Sequence, residues 1–203
     1  MKKILFVCSH LHSGSSALCD ALNHHPRIQG YNLAARSPYV GPPNLLTLTE
    51  QHHKLDNRSA IYMDELLHNH HLSTKAAYKE CKFIYVVREP AAVLNLLIGN
   101  EKMKPSFAVR CYTYRLRRLC EMAKRTPGAV LLTWDDLVEN RGIPLIEDYL
   151  NLRQPISYDP ASLAPFKRTY STDLVGLQLR SKVEDTYQRY LYYLKNQNLR
   201  QWS

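Results

Sequence analysis

The stretch that decides the fold runs from Ile4 to Pro26. It opens with Ile4-Leu5-Phe6-Val7-Cys8, continues through Ser9-His10-Leu11-His12-Ser13-Gly14-Ser15-Ser16, and closes with an amphipathic run through Leu22 to His25-Pro26. The unbroken apolar run predicts a buried strand, the small polar residues a tight loop, and the apolar spacing after Ser15 a helix. A helix N-terminus carries free backbone N–H groups and a partial positive charge, and a loop of small residues lets an anion approach them closely. The order strand, loop, helix therefore points to a phosphorylated nucleotide as ligand.

Outward from this stretch the pattern repeats. Short apolar or β-branched runs predict further strands at Phe83–Val87 and Val130–Thr133, and a less apolar run predicts one at Ala60–Met63. Helical spacing predicts Ser15–His24, Leu66–Glu80, Ala92–Ile98, Phe107–Lys124, Pro144–Leu150 and Leu177–Asn196. The last carries Val183, Tyr187, Leu191 and Leu194 as one apolar stripe, which predicts packing against the body of the protein. Strands alternating with helices imply an α/β domain with a mostly parallel sheet. Two segments rich in Pro or Gly, Gly30–Pro43 and Gln154–Thr172, read as loops. In an open α/β sheet ligands sit at the carboxyl ends of the strands, where such loops gather. The 203 residues are expected to form one domain, 1–203, and show no internal repeat or low-complexity tract.

Hydrophobic content of 45% and charged content of 22% are ordinary for a globular chain, but a net charge of +9 is not. It implies attraction to anionic ligands, and by itself does not separate a nucleotide from nucleic acid or an acidic polysaccharide. No nucleic-acid recognition motif accompanies it, so no nucleic-acid partner is expected. Five cysteines without a CxxC pair argue against a disulfide scaffold and for buried thiols in a reducing compartment. Met1-Lys2-Lys3 precedes an apolar run shorter than the ~7–15 residues of a signal peptide. Nothing approaches the ~20 apolar residues of a membrane span. A soluble, cytoplasmic protein is expected.

The loop itself narrows the ligand. In the ATP/GTP-binding pattern GxxxxGK(S/T), the Lys reaches the β- and γ-phosphates and the Ser/Thr holds Mg²⁺. Here Ser9 replaces the first Gly and Ser15 stands where the Lys belongs. Such a loop is poorly equipped for triphosphate chemistry but suits a single 5′-phosphate group.

With these residues in view, the chain resembles the sulfotransferase superfamily that uses 3′-phosphoadenosine 5′-phosphosulfate (PAPS). His12-Ser13-Gly14-Ser15-Ser16-Ala17-Leu18, followed by Asn23-His24-His25-Pro26, is similar to that family's loop and the end of its first helix. Phe83-Ile84-Tyr85-Val86-Val87-Arg88-Glu89-Pro90 is similar to its strand and turn for the 3′-phosphate. Val130-Leu131-Leu132-Thr133-Trp134-Asp135-Asp136-Leu137-Val138 is similar to its Tyr-Glu-Asp segment, and Ile143–Leu152 to the helix beyond. The resemblance covers roughly residues 3–152 and implies a P-loop NTPase-like three-layer fold with a central, mostly parallel sheet flanked by helices. It implies transfer of a sulfuryl group from PAPS to a hydroxyl or amine of an acceptor, carbohydrate or small molecule. The product would be 3′-phosphoadenosine 5′-phosphate (PAP), and no metal is required.

The resemblance distributes roles along the chain. The 5′-phosphosulfate would rest on the N–H groups of Ser13, Gly14, Ser15, Ser16 and Ala17 and on the Ser15 and Ser16 hydroxyls. Arg88 would fork onto the 3′-phosphate, a charge-assisted contact contributing roughly 1.5–3 kcal/mol; the alternative for Arg88 is an ion pair with Glu89 or an Asp. The family places Lys or Arg where this chain has His12, and a protonated His12 would serve the same charge. The family's Ser eight residues after the motif arginine is Leu96 here, and its neighbour Asn95 is the candidate replacement. The family's glycine-rich C-terminal loop is not evident; Lys167 and Arg168 would supply its charge, with a solvated pair as the alternative.

The acceptor's proton needs a base. Met63-Asp64-Glu65, about twenty residues before Phe83, makes Asp64 and Glu65 the candidates, Glu65 first; both also suit the cap of a helix starting near Leu66. His52-His53 and His68, His70 and His71 match no zinc spacing. Two rivals stay open: a small-molecule or nucleotide kinase on the same fold, and a nucleotide-binding protein on this scaffold whose catalysis has lapsed.

Overall fold

Alternate side chains of the first strand part to opposite sides. Leu5 and Val7 join one apolar cluster, Phe6 and Cys8 the other, as the two-residue period of a strand buried on both faces requires. The computed structural model describes residues 3–30, 61–66, 81–166 and 177–196. These form β1 (Lys3–Ser9), α1 (Ser15–Asn23), β2 (Ile28–Gly30), β3 (Ile61–Leu66), β4 (Cys81–Val87), α2 (Pro90–Gly99) and α3 (Pro105–Ala123). There follow β5 (Val130–Thr133), α4 (Trp134–Val138), α5 (Gly142–Leu150), a 3₁₀ helix (Pro160–Phe166) and α6 (Leu177–Lys195).

The five strands lie in the order β2-β3-β1-β4-β5, and every described ladder is parallel. β1 is central. Its neighbours β3 and β4 are reached in opposite directions from it, so the crevice at its carboxyl end is the switch point where α/β sheets bind ligands. Helices α1, α4 and α5 cover one face with Leu18, Leu22, Leu137, Ile146 and Leu150. Helices α2, α3 and α6 cover the other with Leu94, Tyr112, Leu119, Val183, Tyr187 and Leu194. This is the expected three-layer α/β fold, and the stripe on α6 packs as its spacing predicts.

Several boundaries differ from expectation. The strand expected at Ala60–Met63 runs instead over Ile61–Leu66. Asp64 and Glu65 are therefore strand residues, in register with Phe6 and Val7 of β1, and do not cap a helix starting near Leu66. Tyr62 and Leu66 pair with Ile4 and Cys8, so ladder hydrogen bonding to β1 overrides the local helical pattern there. β2, α4 and the 3₁₀ helix were not anticipated. β2 and α4 are too short for periodicity to reveal, and the 3₁₀ helix lies inside Gln154–Thr172, read as a loop. The rest of the helix expected to Glu80, most of Gly30–Pro43, and Lys167, Arg168, His52, His53, His68, His70 and His71 lie outside the described residues. No described helix is long and apolar enough to cross a membrane.

Candidate functional site

The loop between β1 and α1 turns on two left-handed residues, His12 at φ 60° and Gly14 at φ 90°. Gly14 is the N-cap of α1. A Cβ there would stand 2.8 Å from the Trp134 ring and 3.3 Å from Leu163, so the close approach as well as the positive φ requires glycine. The first intrahelical bond runs from the Leu18 N–H to the Gly14 carbonyl, 3.3 Å, and no side chain caps the helix. The N–H groups of Ser15, Ser16 and Ala17 thus have no intrahelical partner, the arrangement an anion can use.

Two of the groups expected to meet the anion also bond within the loop. The Ser13 N–H donates to the His10 carbonyl at 3.3 Å, which closes the turn and removes it from the anion-binding set. The Ser15 hydroxyl is buried, accepting from Ser9 Oγ at 2.8 Å and Ser13 Oγ at 3.2 Å. Its work is to hold the loop closed on itself. Ser16 is exposed at the first turn of α1.

Arg88 follows β4 and is only 3% exposed. Its guanidinium lies 3.6 Å from the centre of the Trp134 ring, and Nη1 donates to the His12 carbonyl at 3.2 Å. Nε stands 3.6 Å from Glu89 Oε1, so the ion pair named above as the alternative is present. Burial pulls the Arg88 pKa down, and Glu89 and Asp135 pull it back up. The cation–π contact and the carbonyl bond make Arg88 a strut between loop and sheet. Asn95 lies on α2, buried in the helix layer.

The sequence reading missed His10, which is buried just past β1. The Arg88 N–H donates to its Nε2 at 3.0 Å, so Nδ1 carries the proton and donates to the Leu11 carbonyl at 2.9 Å. Burial pushes its pKa down to about 3, and nearby Arg115 and Arg88 push the same way. His10 is a neutral hydrogen-bonding element joining β1 to β4. Helix α3 clamps the same junction: Tyr112 donates to the Arg88 carbonyl at 2.6 Å and meets the His10 ring edge-on at 5.1 Å. Arg115 Nε donates to the Ser9 carbonyl at 2.6 Å, and burial pulls its pKa down to about 10. One signal was available: Ala108, Tyr112, Arg115 and Leu119 share one helical spacing, which puts an arginine on the buried stripe.

His12 sits at the loop's mouth. Its Nε2 is buried and lies 3.5 Å from Glu101 Oε1. Burial lowers its pKa, Glu101 raises it and Arg88 lowers it. Beyond Trp134 opens a cavity of about 600 Å³ lined by Glu89, Thr133, Trp134, Asp135, Asp136, Arg141, Tyr187 and Lys195, among others. Asp136 caps α4, accepting from the Thr133 N–H and hydroxyl at 2.7 Å each, and lies 3.5 Å from Arg141.

No family model and no curated protein sequence matches the chain. Solved structures do. The sulfotransferase domain of the Synechococcus PCC 7002 olefin synthase matches at a TM-score of 0.51 and 16% identity, over 96% of this chain and 94% of that one. A sulfotransferase from Alicyclobacillus acidocaldarius matches at 0.54 and 12% identity, over 98% and 96%. The architecture is thus the P-loop-like α/β class. Within it, the chain has the sulfotransferase fold.

Proposed function

We propose that this protein is a PAPS-dependent sulfotransferase of the reducing cytoplasm, acting on a hydroxyl- or amine-bearing acceptor. The observation that carries the reading is the uncapped N-terminus of α1, set in a Ser-Gly-Ser-Ser loop without the triphosphate-binding lysine, at the switch point of this fold. The Ser15, Ser16 and Ala17 N–H groups and the Ser16 hydroxyl would hold the 5′-phosphosulfate. The glycine-only approach at Gly14 and the interior seat of Ser15 keep those donors in place. Arg88, Asn95, Lys167 and Arg168 are the candidates for the 3′-phosphate. The cavity beyond Trp134, of a size within the usual ~300–1,000 Å³ of ligand pockets, is the candidate seat for the nucleoside, although no residue of the loop lines it.

The cosubstrate supplies an activated sulfuryl group. The chain's part is to neutralise charge on the phosphate that leaves, through the N–H groups and His12, and to take the acceptor's proton as its oxygen attacks sulfur. Glu65 is the first candidate base and Asp64 the second; their register beside Phe6 and Val7 brings β3 alongside the loop-bearing strand. None of the five cysteines is in a disulfide, which suits a reducing compartment.

Calorimetric titration with PAP, against ATP–Mg²⁺ as control, tests the reading. Micromolar binding of PAP alone is expected. Preference for ATP–Mg²⁺ would install a kinase instead, and binding of neither would leave a scaffold without this chemistry.

A further inference from the structure

We infer that His12 and Glu101 form a proton-linked clasp on the anion loop, in which Glu101 is a positioning residue that orients His12 and lets it take up a proton as the anion arrives. The inference rests on the reading that the loop binds an anion, and adds to it a residue distant in sequence and a measurable proton.

The geometry carries it. His12 occupies a left-handed turn position, and its carbonyl is fixed by Arg88 Nη1 at 3.2 Å. The backbone is therefore held, and the ring extends from it toward Glu101, 3.5 Å from Nε2 to Oε1. Nε2 is buried without a hydrogen-bond partner, an arrangement that leaves a polar atom waiting for a change in its surroundings. The Glu101 backbone is held as well. It directly follows the end of α2, where the Glu101 N–H donates to the Leu96 carbonyl at 3.3 Å and the Met103 N–H to the Leu97 carbonyl at 3.0 Å. Lys102 in the left-handed region completes this stop.

The charges around His12 come from three places. Glu101 beyond α2 favours the imidazolium, Arg88 after β4 opposes it, and neutral His10 lies on the same loop. Burial is the largest influence and also opposes it, so the balance around the ring favours the neutral imidazole. An anion on the N–H groups of Ser15, Ser16 and Ala17, which follow His12 along the same loop, adds negative charge nearby and favours the proton. The imidazolium then supplies at binding the positive charge that a lysine would carry permanently.

The sign follows from linkage. The bound-state pKa of His12 exceeds its free-state value, so anion affinity rises as pH falls between them, by at most about one decade per pH unit. Calorimetry with PAP at pH 7 in two buffers of different ionisation enthalpy reads the proton directly. The ligand's own phosphates titrate near pH ~6, so the quantity read is the difference from His12→Gln.

The parent should take up a clear fraction of a proton more than His12→Gln. Glu101→Gln should take up less, shift the affinity midpoint to lower pH, and weaken binding at pH 7 by about two- to fivefold, as a half-exposed ion pair implies. Glu101→Asp should restore part of the uptake, and His12→Lys should bind with no imidazole step between pH 6 and 9. Equal uptake by the parent and His12→Gln overturns the clasp, as does an unmoved midpoint in Glu101→Gln. If PAP does not bind, the PAPS reading fails, and the same titrations with inorganic pyrophosphate decide the clasp by the same differences. If neither anion binds, both readings fall.

Discussion

His10 shows how a residue can shape a site without touching a ligand. It accepts the Arg88 N–H and donates to the Leu11 carbonyl, and both bonds need the neutral ring. Its folded-state pKa of about 3 lies below the unfolded value near 6.5. The unfolded chain therefore takes a proton that the folded protein refuses, and stability falls as pH drops through 6.5 toward 3. That amounts to about 2 kcal/mol between pH 7 and pH 5. Urea unfolding at the two pH values should show this loss in the parent and not in His10→Asn; an equal loss in both would assign it elsewhere. Arg88 permits a cleaner separation. If it contacts the 3′-phosphate, Arg88→Ala weakens PAP and spares AMP. If it acts only as the strut seen under Trp134, the loop loosens and titration calorimetry shows both ligands losing affinity alike.

At the scale of elements, the site is an assembly of ends. The N-terminus of α1 supplies donors, the carboxyl ends of β1 and β4 supply the loop and Arg88, and α3 holds the two strand ends in relation through Tyr112 and Arg115. Removing the Tyr112 hydroxyl leaves the buried Arg88 carbonyl without that donor, a cost of about 1–3 kcal/mol. Tyr112→Phe should lower stability by that order in urea unfolding and weaken PAP binding along with it. Unchanged binding in a destabilised variant would show that α3 supports the fold without setting the site. Helix α4 is positioned by its own reciprocal cap, Thr133 with Asp136, which seats Trp134 between Gly14 and Arg88.

Over the whole molecule, the parallel sheet brings β3, β1 and β4 side by side, so Asp64 and Glu65, the β1–α1 loop and Arg88 lie on or directly after neighbouring strands although they are distant in the chain. Glu65→Gln should lower turnover on the order of 10²–10⁴-fold with PAP affinity unchanged, if Glu65 takes the acceptor's proton. Steady-state rates with a sulfate acceptor screen and PAP calorimetry check the two halves. Full activity in this variant would move the base to Asp64. The excess of basic residues acts at this scale too: if the cosubstrate is the proposed anion, it adds a long-range attraction that salt should weaken.

The sequence by itself determined the alternation of strand and helix, the parallel sheet and the place of the anion loop. Each rests on local periodicity and on the conformational needs of Gly14, which neighbouring residues reveal. It did not reveal that Asp64 and Glu65 continue a strand, because ladder bonds to Phe6 and Val7 are partners far away in the chain. Only the tertiary structure decided that Ser15 faces inward, that Arg88 lies buried beneath Trp134, and that His12 faces Glu101. Those facts depend on which side chains meet across the sheet, and on how much water each gives up there. Desolvation and long-range pairing leave no period in a sequence, so the site's charges become legible only when the chain has closed on itself.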